Sequence, residues 1–259
     1  MSSDEAPQHA RTVRDLVGRE GIPWLTLVVL VTTVAVDLWT FAVPSVEEAL
    51  RRDPDGLGLH NLWRLATPLL TQTDGWVQAG FNWLTLAVFG PFVEWMLGRW
   101  RWAAIYLGAG LVGQALGYRW EPAGGGSSVA VAGLVGGLAV TLLVGTAAAW
   151  ASAADAVAVI VPLAAGVAGY GLVLAGDALA GWPGQLVAVV LFSIGLNVAT
   201  RRLRPATAAR LGGIVALAAG AVLVALADHH GASMLTGAIL TIVCIQSWLR
   251  PPEPAPGER

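Results

Sequence analysis

Lysine is missing from this chain and cysteine occurs once. All fifteen basic residues are arginine, which reads as compositional bias of the genome rather than as chemistry. The single thiol, Cys244, excludes an intrachain disulfide, and its place in an apolar run fits a small packing residue. Charge of either sign is scarce: 12% of residues are charged, against about 25% in soluble domains. The formal net charge of −2 offers no basic field for nucleic acid. No helix carries two histidines flanking a glutamate, and no GxxxxGK[ST] loop is present, which counts against zinc-protease and nucleotide-driven classes. No metal or cofactor is implied. No internal repeat points to a transporter built from duplicated halves.

What the chain has instead is apolar length. Of its 259 residues, 56% are hydrophobic, and several uncharged runs reach the ~18–20 residues needed to cross a ~30 Å hydrocarbon core. The reading is an all-α polytopic membrane protein with about eight spans: Ile22–Val43, Trp76–Leu97, Trp102–Tyr118, Ser128–Trp150, Ala156–Gly176, Gly184–Thr200, Leu211–Ala227 and Gly231–Leu249. Residues 1–20 are polar, hold acids beside arginine, and do not read as a cleavable signal, so they are expected as a cytoplasmic segment. Residues 21–249 form the membrane domain, and 250–259, rich in proline and charge, form a disordered cytoplasmic tail.

Arginine placement tests the count. With a cytoplasmic N-terminus, Arg11, Arg14, Arg19, Arg99, Arg101, Arg201, Arg202, Arg204, Arg210, Arg250 and Arg259 fall inside. Only Arg51, Arg52, Arg64 and Arg119 fall outside, which is the direction of the positive-inside rule. A missed or invented helix would scramble this asymmetry. The expected setting is a bacterial plasma membrane with both termini cytoplasmic. The connection from Pro44 to Gly75 mixes Leu, Trp and Pro with charges, and is expected to dip into the interface.

Two short stretches carry the chemistry. GGGSS, Gly124–Ser128, opens the fourth span, and DHH, Asp228–His230, opens the eighth. Both mouths lie on the outer side in this topology, so the two can meet without crossing the membrane. A helix N-terminus presents unpaired N–H groups and partial positive charge, which suits an oxyanion. A serine there is also an ordinary N-cap. An imidazole within reach activates the serine as a nucleophile, and His229 stands beside His230 as an alternative base. Asp228 is placed to orient a neighbouring ring. Gln78 and Asn82, four apart on one helix face, can both donate amide hydrogen bonds. Small residues at four-residue spacing (Gly113 and Gly117, Gly133 and Gly137, Ser233 and Gly237) predict close helix approach. Glu94, with Arg99 and Arg101 close behind, reads as a loop-fixing ion pair. Asp37, within the first span, has no evident partner in the sequence, and His9 and His60 read as solvated.

In order, WRLATPLL (Trp63–Leu70), FNWLTLAVFGPFVEWMLG (Phe81–Gly98), WAAIYLGAGLVGQ (Trp102–Gln114), GSSVAVAGLVGG (Gly126–Gly137) and His230 with Gly237 resemble the rhomboid family of intramembrane serine proteases. The resemblance is continuous over about 63–143 and weaker beyond. It implies a rhomboid-like helical bundle, with Ser128 as nucleophile and His230 as general base in a dyad with no obligatory third acid. It implies oxyanion stabilisation by Asn82, with Gln78 and Gly126 in the positioning set. It also implies a transmembrane segment in the lipid bilayer as substrate. Three departures stand out. Val129 follows the serine where the family usually has Gly, and Gln78 replaces a usual His. Three spans, not one, separate the serine and histidine helices. Counting helices the usual way would bring Gln185 of span six to the site. The alternative function is then a catalytically inactive relative that binds or escorts transmembrane clients.

Overall fold

The computed structural model describes residues 21–145 and 159–249. The expected cytoplasmic segment 1–20, the tail 250–259, and the end of span four with the start of span five lie outside the described residues. Within them the chain is helical: α1 (Trp24–Ala42), α2 (Pro44–Leu50), α3 (Gly75–Leu97), α4 (Arg99–Trp120), α5 (Ser128–Leu143), α6 (Val161–Arg202), α7 (Pro205–Ala225) and α8 (His229–Leu249). Among the described residues, three stretches are long and apolar enough to cross a bilayer by length and composition: Trp24–Ala42, Val161–Gly195 and Pro205–Ala225. Large hydrophobics face outward along them, among them Val28, Val31, Leu186, Val190 and Ile214, as a lipid-facing surface requires.

Helix α5 is the hub. Every residue from Ser128 to Leu142 is buried. A helix apolar on all sides belongs at the centre of its bundle, and α3, α4, α6, α7 and α8 pack around it. Glycines set how closely. A side chain on Gly237 of α8 would run into the carbonyl of Gly133, and one on Gly136 into the carbonyl of Met234. Gly113 of α4 faces Ser233 of α8 and Val129. The small-residue spacing therefore seats α4 and α8 against α5 backbone to backbone.

One span boundary differs from the sequence reading, and two expected spans form a single broken helix. The helix of span four closes at Leu143, with Gly145 at φ +79° turning the chain, and residues 146–150 of the expected span lie outside the described residues. At ~1.5 Å per residue, its 16 residues cover about 24 Å, less than a ~30 Å core. Spans five and six are the arms of α6, broken at Ala180 and Gly181, the latter at φ +60°. The arms fold back as a hairpin, with Gly176 against Gly184 and Gly169 against Phe192. A hairpin adds two crossings and leaves the direction of everything downstream unchanged.

Glu94, expected from the sequence to pair with Arg99 or Arg101, reaches α1 instead. Its Oε1 accepts the Leu25 amide at 3.0 Å, and its Oε2 accepts the amide and hydroxyl of Thr26, each at 2.8 Å. No side chain of α1 caps its own N-terminus, so a carboxylate from α3 supplies the cap and complements the helix dipole.

Candidate active site

The 44–74 connection forms the floor and wall of the site. Arg64 ties it together by donating to the carbonyls of Glu48 and Arg51 at 2.9 and 3.0 Å. The connection then clamps the glycine stretch ahead of α5. Arg52 N–H donates to Gly124 O at 2.8 Å, Gly126 N–H to Pro68 O at 2.8 Å, and Gly125 N–H to Thr73 Oγ1 at 3.1 Å. Gly124 sits at φ +132°, a conformation open to glycine and costly for other residues. Arg52 is itself buried, and its guanidinium bonds Gln114 and the carbonyls of Glu121 and Ala123. A buried guanidinium needs this many acceptors to offset lost hydration.

Ser128 emerges at the start of α5 with its Oγ 2.9 Å from His230 Nε2. The hydroxyl and the imidazole are 102 residues apart in the chain. The turn from α7 into α8 delivers the ring: Ala227 takes a left-handed conformation (φ +58°), and Asp228 N–H returns to Leu223 O at 2.9 Å. His230 Nδ1 then lies 2.8 Å from Asp228 Oδ1, which also accepts the His230 backbone N–H at 2.8 Å. Burial works to raise the Asp228 carboxyl, but the hydrogen bonds and charge of His230 outweigh it and hold the group below its ordinary value.

His229 does not face the serine. It is buried, its ring lies tilted by 31° against that of His230 with centroids 4.5 Å apart, and its Nδ1 stands 3.3 Å from Glu121 Oε2. Gln185, on the second arm of α6, is not the side chain that meets Ser128. Asp228, His229 and His230 bring three metal-capable atoms within 4.8 Å of one another. The Asp228 and His230 atoms are already bonded to each other, and His230 Nε2 is turned to the serine.

Asn82 is buried beside the serine loop, where its Nδ2 donates to Gln72 Oε1 at 2.7 Å and its Oδ1 has no partner. Gln78 is drawn back to Asp74, with Nε2 donating to Oδ2 at 2.7 Å. The Gly126 N–H is spent on Pro68, so what Gly126 offers is room: a side chain there would meet Ser128 Oγ at 2.9 Å, Gln72 Oε1 at 3.2 Å and Gln78 Nε2 at 3.7 Å. Ser127 makes no cap bond to the helix, which leaves the first N–H groups of α5 without an intrahelical partner beside Ser128. Val129 fits because Gly113 opposite carries no side chain.

Three residues escaped sequence reasoning. Gln72 is fully buried and bridges the site, donating to Ser127 Oγ at 2.9 Å while accepting from Asn82. Its setting in a Thr-Gln-Thr loop gave no sign of burial. Tyr170 on the first arm of α6 donates to the Ser128 carbonyl at 3.1 Å and stacks on Phe81. Asp37 finds its partner in Trp83, whose Nε1 donates to Oδ2 at 2.7 Å. An indole on α3 spaced for helix packing carried no signal of that bond.

The comparisons with known proteins agree with this architecture. The Rhomboid domain family model matches residues 59–216, and so stops short of α8. A protein of Bacillus subtilis (strain 168) named "Putative rhomboid protease YdcA" is 34% identical over 119 residues, 42% of this chain and 59% of that relative. The chain thus spans about three-fifths of the length of this curated relative. No solved structure matches the chain at a significant level.

Proposed function

Starting from the fact that this chain belongs to the rhomboid family, as the match over residues 59–216 shows, we propose that it is an intramembrane serine endopeptidase cleaving transmembrane segments of membrane proteins. The observation that carries the reading is the 2.9 Å contact between Ser128 Oγ and His230 Nε2. A hydroxyl bonded to an imidazole, at a helix mouth with free N–H groups, is the geometry that acyl transfer needs.

A substrate helix unwinds at the outer face and presents an extended peptide to the clamped glycine loop. Ser128 Oγ bonds the carbonyl carbon as its proton passes to His230 Nε2. The oxyanion is met by N–H groups at the start of α5 and by an amide hydrogen of Asn82. Rotating both amides together turns the Asn82 NH₂ outward while Gln72 Nε2 donates to Asn82 Oδ1 and Gln72 Oε1 accepts from the Ser127 hydroxyl. His230 then returns its proton to the departing amine, and water hydrolyses the acyl-enzyme. No cofactor or metal takes part. The chain lies in a bacterial plasma membrane with both termini cytoplasmic, a setting that the arginine asymmetry supports.

The test is covalent labelling of the purified protein in detergent and in liposomes with a fluorophosphonate. Labelling of the parent and its loss in Ser128→Ala and His230→Ala is the expected result. A properly folded parent that stays unlabelled in every detergent and lipid refutes hydrolysis and leaves the escort role in its place.

A further inference from the structure

We propose that Asp228 is a positioning residue for His230, so that the site works as a serine–histidine–aspartate triad rather than a bare serine–histidine pair. The inference rests on the proposed hydrolytic function for its consequence, but on separate geometry for its substance. Three contacts run in line: Ser128 Oγ to His230 Nε2 at 2.9 Å, His230 Nδ1 to Asp228 Oδ1 at 2.8 Å, and His230 backbone N–H to the same oxygen at 2.8 Å.

A carboxylate can only accept, so the Nδ1 facing it carries the hydrogen. That fixes the tautomer. Nε2 is left with its lone pair toward Ser128, which is the form a general base needs. The side chains of His230 and Asp228 are 17% and 24% exposed, so the pair is largely withdrawn from water, where a charge-assisted bond counts for more. Electrostatics agree, since the imidazole keeps the Asp228 carboxyl below its ordinary value against the effect of burial.

The plainer reading is that Asp228 merely caps α8. A cap accounts for the bond to the backbone N–H of His230. It does not account for the ring bond, which an N-cap has no need to make. The two readings separate on substitution, because asparagine and serine cap helices about as well as aspartate. Neither keeps the charge, and asparagine can present an N–H to the ring and favour the wrong tautomer.

During acylation the Ser128 proton moves to Nε2 while the Nδ1 hydrogen stays on the ring, held by Asp228. The imidazolium formed is paired with the carboxylate. The Nε2 proton then leaves with the amine, and the ring returns to its starting tautomer. No further reactant is needed. Glu121 and Arg52 complete the charged surroundings, beside the buried His229 ring, while the His230 ring nitrogens are taken by Ser128 and Asp228.

The experiment uses the full chain in detergent micelles, with ¹⁵N-histidine NMR and fluorophosphonate labelling read side by side on the parent, Asp228→Asn and Asp228→Ser. The His230 signals are assigned by their loss in His230→Gln. The parent is expected to show a protonated Nδ1 and an unprotonated Nε2. Both variants should melt within a few degrees of the parent, lose that tautomer preference, and label Ser128 about 10²- to 10⁴-fold more slowly. Parental tautomer or parental labelling rate in a folded Asp228→Asn or Asp228→Ser overturns the proposal. An unlabelled parent with the expected tautomer, lost in the variants, refutes hydrolysis alone and leaves the ring-positioning role standing.

Discussion

Replacing Gln72 by methionine removes the amide bridge while nearly conserving volume, so the cost is polar rather than steric. The wild-type amide makes two bonds, to Asn82 Nδ2 at 2.7 Å and to Ser127 Oγ at 2.9 Å. Both partners are buried, and Asn82 already holds one unpartnered atom, Oδ1. Leaving a buried donor or acceptor unpaired costs about 1–3 kcal/mol. The serine hydroxyl can rotate and recover part of its loss, so the total comes to about 3 kcal/mol for the pair. That is roughly a hundredfold in the folded-to-unfolded ratio and a fall of about 6–12 °C in Tm. Equilibrium unfolding in bicelles measures it. Gln72→Met combined with Ser127→Ala is the internal control, since removing the serine hydroxyl removes one orphan. The double variant should cost less than the sum of the singles by about 1–2 kcal/mol. A loss below about 1 kcal/mol for the single variant, or strict additivity in the double, refutes the bridge as an energetic element.

Other perturbations follow from single contacts. Gly237→Ala pushes a methyl at the Gly133 carbonyl, and should cost about 1–3 kcal/mol. It should also slow Ser128 labelling, because α8 carries His230 away with it. Glu94→Gln replaces one acceptor oxygen at the start of α1 by a donor facing a donor; about 1–2 kcal/mol of stability should go, with faster amide exchange at Leu25 and Thr26. Ala227→Gly relieves the left-handed strain at φ +58° and should raise stability by up to about 1 kcal/mol, read as a higher Tm. Gly113→Val fills the space that Val129 occupies and should abolish folding in cells, read as loss of membrane-inserted protein.

Much of the scaffold was legible because membrane helices announce themselves locally. Uninterrupted apolar runs, arginine asymmetry and four-residue glycine spacing depend only on near neighbours in the chain, and so do the two polar helix mouths at Ser128 and Asp228–His230. The break in α6 was legible too: the sequence already separates Gly176 from Gly184 as the ends of two spans, and the chain turns between them at Ala180 and Gly181. What stayed hidden depends on distant partners. Gln72 looked like a loop residue until the 44–74 connection was seen folded under the glycine stretch. Glu94 looked like the partner of Arg99 and Arg101, its neighbours in sequence, when its oxygens reach residues 68 and 69 positions away. Asp37 had no account because an indole donor on another helix cannot be told from a packing tryptophan by spacing. Val129 departed from the family pattern, and only the matching vacancy at Gly113 explains how it is accommodated.

The 102-residue separation of hydroxyl and imidazole has a consequence in time. At about 5–20 residues per second, the ribosome makes Ser128 some 5–20 seconds before His230. On the proposed function, the nucleophile would stay without its base through that interval. Order of synthesis would then act as a safety catch, released only when the helix bearing His230 packs into the seam that Gly133 and Gly237 hold open.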